Sequence, residues 1–196
     1  MVTAPEIREA VRRMFDRVAT TPAEKYRFAV GPDLARTVGY PEEVFESLPG
    51  SAFESFTGLA YLHRYLGLRP GDRVLDLGSG GGMDSVLVGR TVGPSGSVVG
   101  LDLSEEMVTR ARSLAGTYGA GHVHFERGEA EVMPFADATF DVAYANGVLN
   151  LCPDKPVVLS ELRRVLKPGG RAVIAEITFA ERLPLVDLKS ADDWFR

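Results

Sequence analysis

The sequence predicts an α/β protein built on a doubly wound, mostly parallel sheet and preceded by a helical amino-terminal extension. Three observations carry this prediction. After residue 72, short apolar runs alternate with amphipathic helical patterns. A glycine cluster, Gly78-Ser79-Gly80-Gly81-Gly82, stands at the junction of the first run and the first of these patterns. The composition is that of a folded domain: 196 residues, 45% of them hydrophobic and 25% charged.

The elements follow in order. Ile7, Val11, Met14, Phe15 and Val18 recur at the spacing of one helical face and predict an amphipathic helix. Residues 20–51 are broken by Pro22, Pro32, Pro41 and Pro49, with Gly31, Gly39 and Gly50, into turns and short helices. Phe56, Leu59, Ala60, His63 and Leu66 predict a second helix, closed by Gly67. Residues 1–69 therefore read as a helical cap and 70–196 as the main domain. Val74–Leu77 is the first strand, and the helix after the glycine cluster is stopped near Thr91 by Gly93-Pro94-Ser95-Gly96. Ser97–Leu101 is the second strand. Ser104 caps a helix with Glu105 and Glu106 in its first turn. Val123–Phe125 and Phe140–Ala145 are the third and fourth strands. Asp154 caps a helix ended by Pro168-Gly169-Gly170, and Ala172–Phe179 is the fifth strand.

Charge and cysteine content exclude several functions. Lys plus Arg is 22 against Asp plus Glu 27, a net charge of −5, so no basic field attracts a nucleic-acid backbone or an anionic membrane. The amino terminus lacks the apolar core of a secretory leader, and no run is long enough to span a bilayer. The single cysteine, Cys152, forms no internal disulfide, which suits a reducing cytoplasm. His122 and His124 flank Val123 on one strand without further ligands at metal spacing, His63 lies on an apolar helical face, and no metal is expected.

Three readings compete for the glycine loop. A P-loop requires G-x-x-x-x-G-K-[ST], which is absent. The dinucleotide fingerprint started at Gly78 puts Met83 where a third small residue belongs. An acidic-x-G-x-G-x-G pattern fits, running through Asp76, Gly78, Gly80 and Gly82. With Asp102 at the end of the second strand, Gly128-Glu129-Ala130-Glu131 after the third, and FDVAYANGVLNLCPD at the fourth, this pattern resembles the class I S-adenosylmethionine-dependent methyltransferases over residues 70–178.

The resemblance implies a Rossmann-like fold and S-adenosylmethionine as cofactor. Asp76, Gly78, Ser79, Gly80 and Gly82 would hold its amino-acid end, with backbone N–H groups offered to the carboxylate. Asp102 would accept the ribose hydroxyls, although an aspartate there also serves as a helix cap. Glu129 or the Ala130 backbone would meet adenine, or Glu129 is a solvated loop acid. Leu103, Met107 and Val132 form an apolar slot for the base or belong to the core. Asn146 and Gly147 face the methyl donor. Acceptor-facing candidates are Tyr26, Phe28, Tyr40, Tyr144, Asn146, Asn150 and Cys152, with Asn146, Tyr26 and Tyr144 the catalytic choices and the aromatics of residues 20–50 the expected lid.

Within the superfamily the chain is similar to the arsenite methyltransferase group, through VLDLGSGGGMDSVLVGRTVGPSGSVVGLDLSEEMVTRAR, NGVLNLCPDK, GYPEEVFESLP and ESFTG. That chemistry requires converging thiolates, and Gly147 stands where the group's fourth-strand cysteine is expected. Cys152 alone is either a buried small hydrophobe or an isolated ligand. Enzymes of this resemblance also add two strands after the fifth, which the 17 residues beyond Phe179 are too few to build; an open sheet edge then favours a homodimer. The expected activity is in-line methyl transfer to a small-molecule acceptor. The alternatives are intramolecular displacement releasing methylthioadenosine, or a cofactor-binding regulator without catalysis.

Overall fold

A computed structural model describes residues 2–178 and 190–195. Five strands form one sheet in the order β3-β2-β1-β4-β5, every pair parallel. These are β1 (Arg73–Leu77), β2 (Ser97–Asp102), β3 (Val123–Arg127), β4 (Phe140–Asn146) and β5 (Leu166–Ala175). No further strand occurs among the described residues. The order reverses between β1 and β4, so the carboxyl ends of these strands open a crevice at the switch point.

Successive side chains of each strand face opposite layers. Val74, Val98 and Val142 point to one face, where α4 (Met83–Val92) and α5 (Glu105–Thr117) bury Val86, Val88, Val108 and Ala111. Leu75, Leu77 and Ala143 point to the other, where α6 (Lys155–Val165) buries Val158, Leu162 and Val165. Ser104 and Asp154 accept hydrogen bonds from Met107 N and Val157 N, as their cap positions predict. The first helix, α1 (Ala4–Thr20), begins with a capping box between Thr3 and Glu6 and buries Ile7, Val11 and Val18. Short helices α2 (Pro32–Thr37) and α3 (Glu42–Ser47) follow, as the proline and glycine punctuation implies.

Two expected elements differ. The predicted helix over 56–66 reduces to a 3-10 turn at Leu62–Tyr65, and residues 56–60 run without helix. The cause is tertiary. Asn146 Oδ1 accepts from the N–H of Leu59 at 2.8 Å and of Ala60 at 3.2 Å, while its Nδ2 donates to the Ala60 carbonyl at 2.9 Å. The fifth strand begins at Leu166 instead of Ala172, because Leu166 already pairs with Phe140. A register shift then lets Pro168-Gly169-Gly170 bulge before Arg171 rejoins Val142. Phe179, the expected strand end, lies outside the described residues.

Gly82 shows how tightly the glycine loop is seated. Its φ is 82°, and an added Cβ would lie 2.7 Å from the Ala111 Cβ and 2.8 Å from Phe125 Cζ. Gly82→Ala is expected to cost about 1–3 kcal/mol of stability from overpacking and left-handed strain, read from urea unfolding. An unchanged midpoint would contradict the close α4–α5–β3 packing.

Candidate active site

The site grows from the turn between β1 and α4. Gly78 and Ser79 both donate backbone N–H groups to the Leu101 carbonyl, at 2.8 and 3.2 Å, which folds the loop back over the end of β2. Gly80 donates its N–H to Asp102 Oδ2 at 2.8 Å, and Ser104 N donates to Asp102 Oδ1 at 2.9 Å. One carboxylate thus ties together the glycine loop and the β2–α5 turn. Burial raises its pKa, and no ion pair with a lysine or arginine among the described residues offsets that. Both oxygens keep lone pairs for a further donor.

A cleft opens over this junction. Its floor contains Gly78, Gly80, Leu101, Asp102 and Leu103; Gly128, Glu129, Ala130 and Glu131 form one side and Asn146, Gly147, Val148 and Cys152 the other. The roof is α1, through Arg8, Val11, Arg12 and Phe15. Arg8 Nε lies 3.2 Å from Glu129 Oε2 and its NH1 3.4 Å from Glu131 Oε1. At the other end Ser104 Oγ donates to Asp16 Oδ1 at 2.7 Å. Helix α1 is therefore strapped across the cleft at both ends.

Gly78 and Gly80 also line a second, smaller cavity, which shares Thr57 and Asn146 with the cleft. Asp76, Asp84, Ser79 and Ser55 line it, closed by Phe56, Thr57 and Gly58. Ser85 Oγ donates to Asp76 Oδ2 at 2.5 Å. Tyr40 Oη donates to Asp84, lying 2.7 and 2.8 Å from its two oxygens, and Asn146 Nδ2 donates to Asp84 Oδ2 at 3.3 Å. Burial, joined by the nearby charge of Asp84, pushes Asp76 up to about 7 despite the Ser85 bond. Burial likewise pushes Asp84 up to about 6 against the bonds from Tyr40 and Asn146. Ser79 Oγ is buried in this wall without a hydrogen-bond partner. No side chain caps the α4 start behind Gly82.

The expected site residues separate into three groups. Asp76, Gly78, Ser79, Gly80, Asp102, Leu103, Glu129, Ala130 and Asn146 all line one or both cavities. Met107 instead packs with Val18 and Ala19 beneath α1, and Gly82 supports the loop from behind. Tyr144 is 1% exposed in the core, its Oη near Asp76 but outside hydrogen-bond geometry, and lines neither cavity. Tyr26 also stays away: its Oη donates to the Thr21 carbonyl at 2.9 Å and its ring stacks on Phe28. Neither tyrosine lines the cleft or the smaller cavity. Val132 is 72% exposed, outside any apolar slot. Asn150 donates its side-chain N–H groups to Glu176 and Ile177.

The lid is also different from the expected one. Helix α1 roofs the large cleft, whereas of the 20–50 aromatics only Tyr40 approaches the cavities, through Asp84. The signal lay in the apolar face of α1, whose Val11 and Phe15 meet the cleft; a face of this kind does not announce what it covers. Asp84 falls after the glycine pattern, where a carboxylate reads in sequence as a first-turn helix residue. His63 bonds Thr91, His122 bonds the Gly89 carbonyl and His124 is exposed; no His/Cys/Asp/Glu cluster of metal-binding type occurs among the described residues. No helix among them is long and apolar enough to cross a membrane.

A parallel sheet with a glycine loop, an acid at the end of its second strand and a cleft at its carboxyl edge defines a nucleoside-cofactor-binding protein of the doubly wound class. The methyltransferase-domain family matches residues 68–196, and the chain belongs to it. The arsenite methyltransferase of Halobacterium salinarum is 40% identical over 120 residues, 61% of this chain and 31% of that protein. The ubiquinone/menaquinone biosynthesis C-methyltransferase UbiE of Geobacter sulfurreducens is 46% identical over 110 residues, 55% and 43% respectively. Among solved structures, the arsenic(III) S-adenosylmethionine methyltransferase of Chlamydomonas reinhardtii superposes with TM-score 0.61 at 34% identity, over 80% of this chain and 52% of its own. The chain spans from about a third to about half the length of these relatives. The resemblance to the arsenite methyltransferase group is borne out.

The cofactor of this family is S-adenosylmethionine. The residues fit it on their own evidence. Gly80, at φ 51°, has open space where a Cβ would stand, so a ligand can approach the backbone there, and the Ser79 hydroxyl awaits a partner in the adjoining wall.

Proposed function

We propose that this chain catalyses methyl transfer from S-adenosylmethionine to a small-molecule acceptor by in-line displacement. The carrying observation is that Gly78 and Gly80 of the loop, Asp102, the Glu129–Ala130 segment and Asn146 all line one cleft. When bound, the cofactor supplies an electrophilic methyl group on a sulfonium. The chain's own residues then divide the work. Asp102 receives the ribose hydroxyls, and Leu103 and Ala130 flank the base beside Glu129. Ser79 and the uncapped start of α4 meet the amino-acid end. Asn146 positions the 57–60 wall between the two cavities, and the α1 roof excludes water, so rate comes from alignment.

The acceptor is a small molecule. Cys152 is buried, its Sγ donates to the Val148 carbonyl at 3.4 Å, and burial pushes its pKa to about 12, so it offers no thiolate to a metalloid at neutral pH. Residues 1–69 act as the cap, with α1 its working part. Among the described residues β5 is an edge strand with Ile174 exposed, which supports the homodimer reading, checked by sedimentation.

Incubation with S-adenosylmethionine and a panel of small acceptors, including quinols and phenols, tests the activity. The expected result is acceptor-dependent release of S-adenosylhomocysteine. Release of methylthioadenosine would favour intramolecular displacement instead, and tight cofactor binding without turnover would favour a regulator.

A further inference from the structure

Resting on the cofactor reading above, we infer that Thr57 is the acceptor-orienting residue. Its hydroxyl stands where the cleft and the smaller cavity meet, faces the position of the transferable methyl, and hydrogen-bonds the acceptor there. The acceptor is thereby of a protic class, with a hydroxyl or an amine at or beside the atom that is methylated.

Position is the first ground. The residues common to the cleft and the smaller cavity are Thr57, Gly78, Gly80 and Asn146. Asp102 and Ala130 lie on the cleft side of this boundary and Ser79 on the other, so a cofactor bound as above has its sulfonium at the boundary. The two glycines bring no side chain to it. Asn146 brings one that is fully engaged: Oδ1 accepts from Leu59 N and Ala60 N, and Nδ2 donates to the Ala60 carbonyl and to Asp84. Thr57 remains. Among the described residues its hydroxyl has no hydrogen-bond partner, which leaves its proton and its lone pairs open to a ligand.

The second ground is how firmly the chain fixes this position. On one side of Thr57 the Phe56 carbonyl accepts the Gly31 N–H at 2.8 Å; on the other, Asn146 holds the backbone of Leu59 and Ala60. An added Cβ at Gly58 would stand 2.6 Å from Asn146 Nδ2, and one at Gly147 would stand 3.1 Å from Leu59 Cγ and 3.8 Å from the Thr57 carbonyl oxygen. Bare backbone at 58 and 147 therefore lets the segment rest directly on the end of β4. A hydroxyl held in this way needs little further ordering when the acceptor arrives. Its polar neighbours in the roof and floor are engaged elsewhere: Arg8 with Glu129 and Glu131, Arg12 with Glu9 and Asp16, and Ser104 with Asp16.

Sinefungin tests the position without an acceptor. In this cofactor analogue a carbon bearing an ammonium replaces the sulfonium and its methyl, so a hydrogen-bond donor stands where the methyl would be; S-adenosylhomocysteine has nothing there. Calorimetry on the full chain is expected to show Thr57→Val weakening sinefungin about tenfold, because a charge-assisted bond is withdrawn, while S-adenosylhomocysteine changes by less than about twofold. Thr57→Ser, which keeps the hydroxyl, is expected to bind sinefungin within about threefold of the unsubstituted protein. Thr57→Ala is expected to give the same split as valine and carries the test if the valine variant fails to fold. Equal losses for both ligands, no loss for either, or an unsubstituted protein that binds S-adenosylhomocysteine but not sinefungin would overturn the Thr57 assignment while leaving the cofactor reading intact. Turnover of a panel acceptor with neither hydroxyl nor amine would overturn the protic class. Failure of the unsubstituted protein to bind either ligand would overturn both the assignment and the cofactor reading.

Discussion

Asp102→Ala is expected to lower the affinity for S-adenosylhomocysteine about a hundredfold. The carboxylate accepts the N–H groups of Gly80 and Ser104 at 2.8 and 2.9 Å, and charge-assisted bonds of this kind contribute about 1.5–3 kcal/mol each. Losing both leaves the glycine loop without its tether to the β2–α5 turn, in addition to any bond withdrawn from a ribose hydroxyl. A loss near 3 kcal/mol corresponds to about a hundredfold in Kd. Calorimetric titration reads the effect directly. Asp102→Asn, which keeps one acceptor oxygen, is expected to recover part of the loss. Unchanged affinity in the alanine variant would remove this acid from the site.

The second large effect is on the ligand-free protein. Asp76 has a folded-state pKa of about 7 against an ordinary value of 3.8, because burial and the Asp84 charge both disfavour its ionised form. The folded chain therefore holds a proton here that the unfolded chain has released between about pH 4 and pH 7. The stabilising contribution is fully present below pH 4 and is lost as pH rises through 7. Asp76→Asn, which keeps an acceptor for Ser85 and carries no charge, is expected to flatten this loss. It should unfold at a higher temperature than the unsubstituted protein at pH 8, with the gap narrowing by pH 5. Thermal unfolding of both proteins at the two pH values is the measurement. Parallel pH profiles would mean that the Asp76 charge costs the fold nothing. A stability gain accompanied by weaker cofactor binding would identify the buried carboxylates as destabilising groups kept for the ligand.

Helix α1 shows how far sequence patterns reach and where they stop. Its spacing of Ile7, Val11, Phe15 and Val18 specified an amphipathic helix, and α1 spans Ala4–Thr20. Nothing in that spacing says that Val11 and Phe15 would roof the cleft, or that Arg8 would clasp Glu129 and Glu131 more than a hundred residues away. The 56–66 segment failed for the complementary reason. Its apolar pattern suits a helix, but Asn146 takes up the backbone groups of Leu59 and Ala60 that a helix would have used. Tyr144 belongs to the same strand face as Asn146, but it lies inside β4 against the layer under α4, whereas Asn146, the last residue of the strand, reaches the cleft.

The sequence by itself determined the order of strands and helices, the caps at Ser104 and Asp154, and the loop with its acids at 76 and 102. Each of these rests on local periodicity, capping chemistry or backbone freedom, which neighbouring residues settle among themselves. The tertiary structure decided which side chains share the cavity. It brought Tyr40, Asp84 and Asn146 together, placed α1 over the cleft, and sent Tyr26 and Met107 elsewhere. Such choices depend on contacts between segments tens of residues apart, whose packing and hydrogen bonds outweigh the local preference of any one of them.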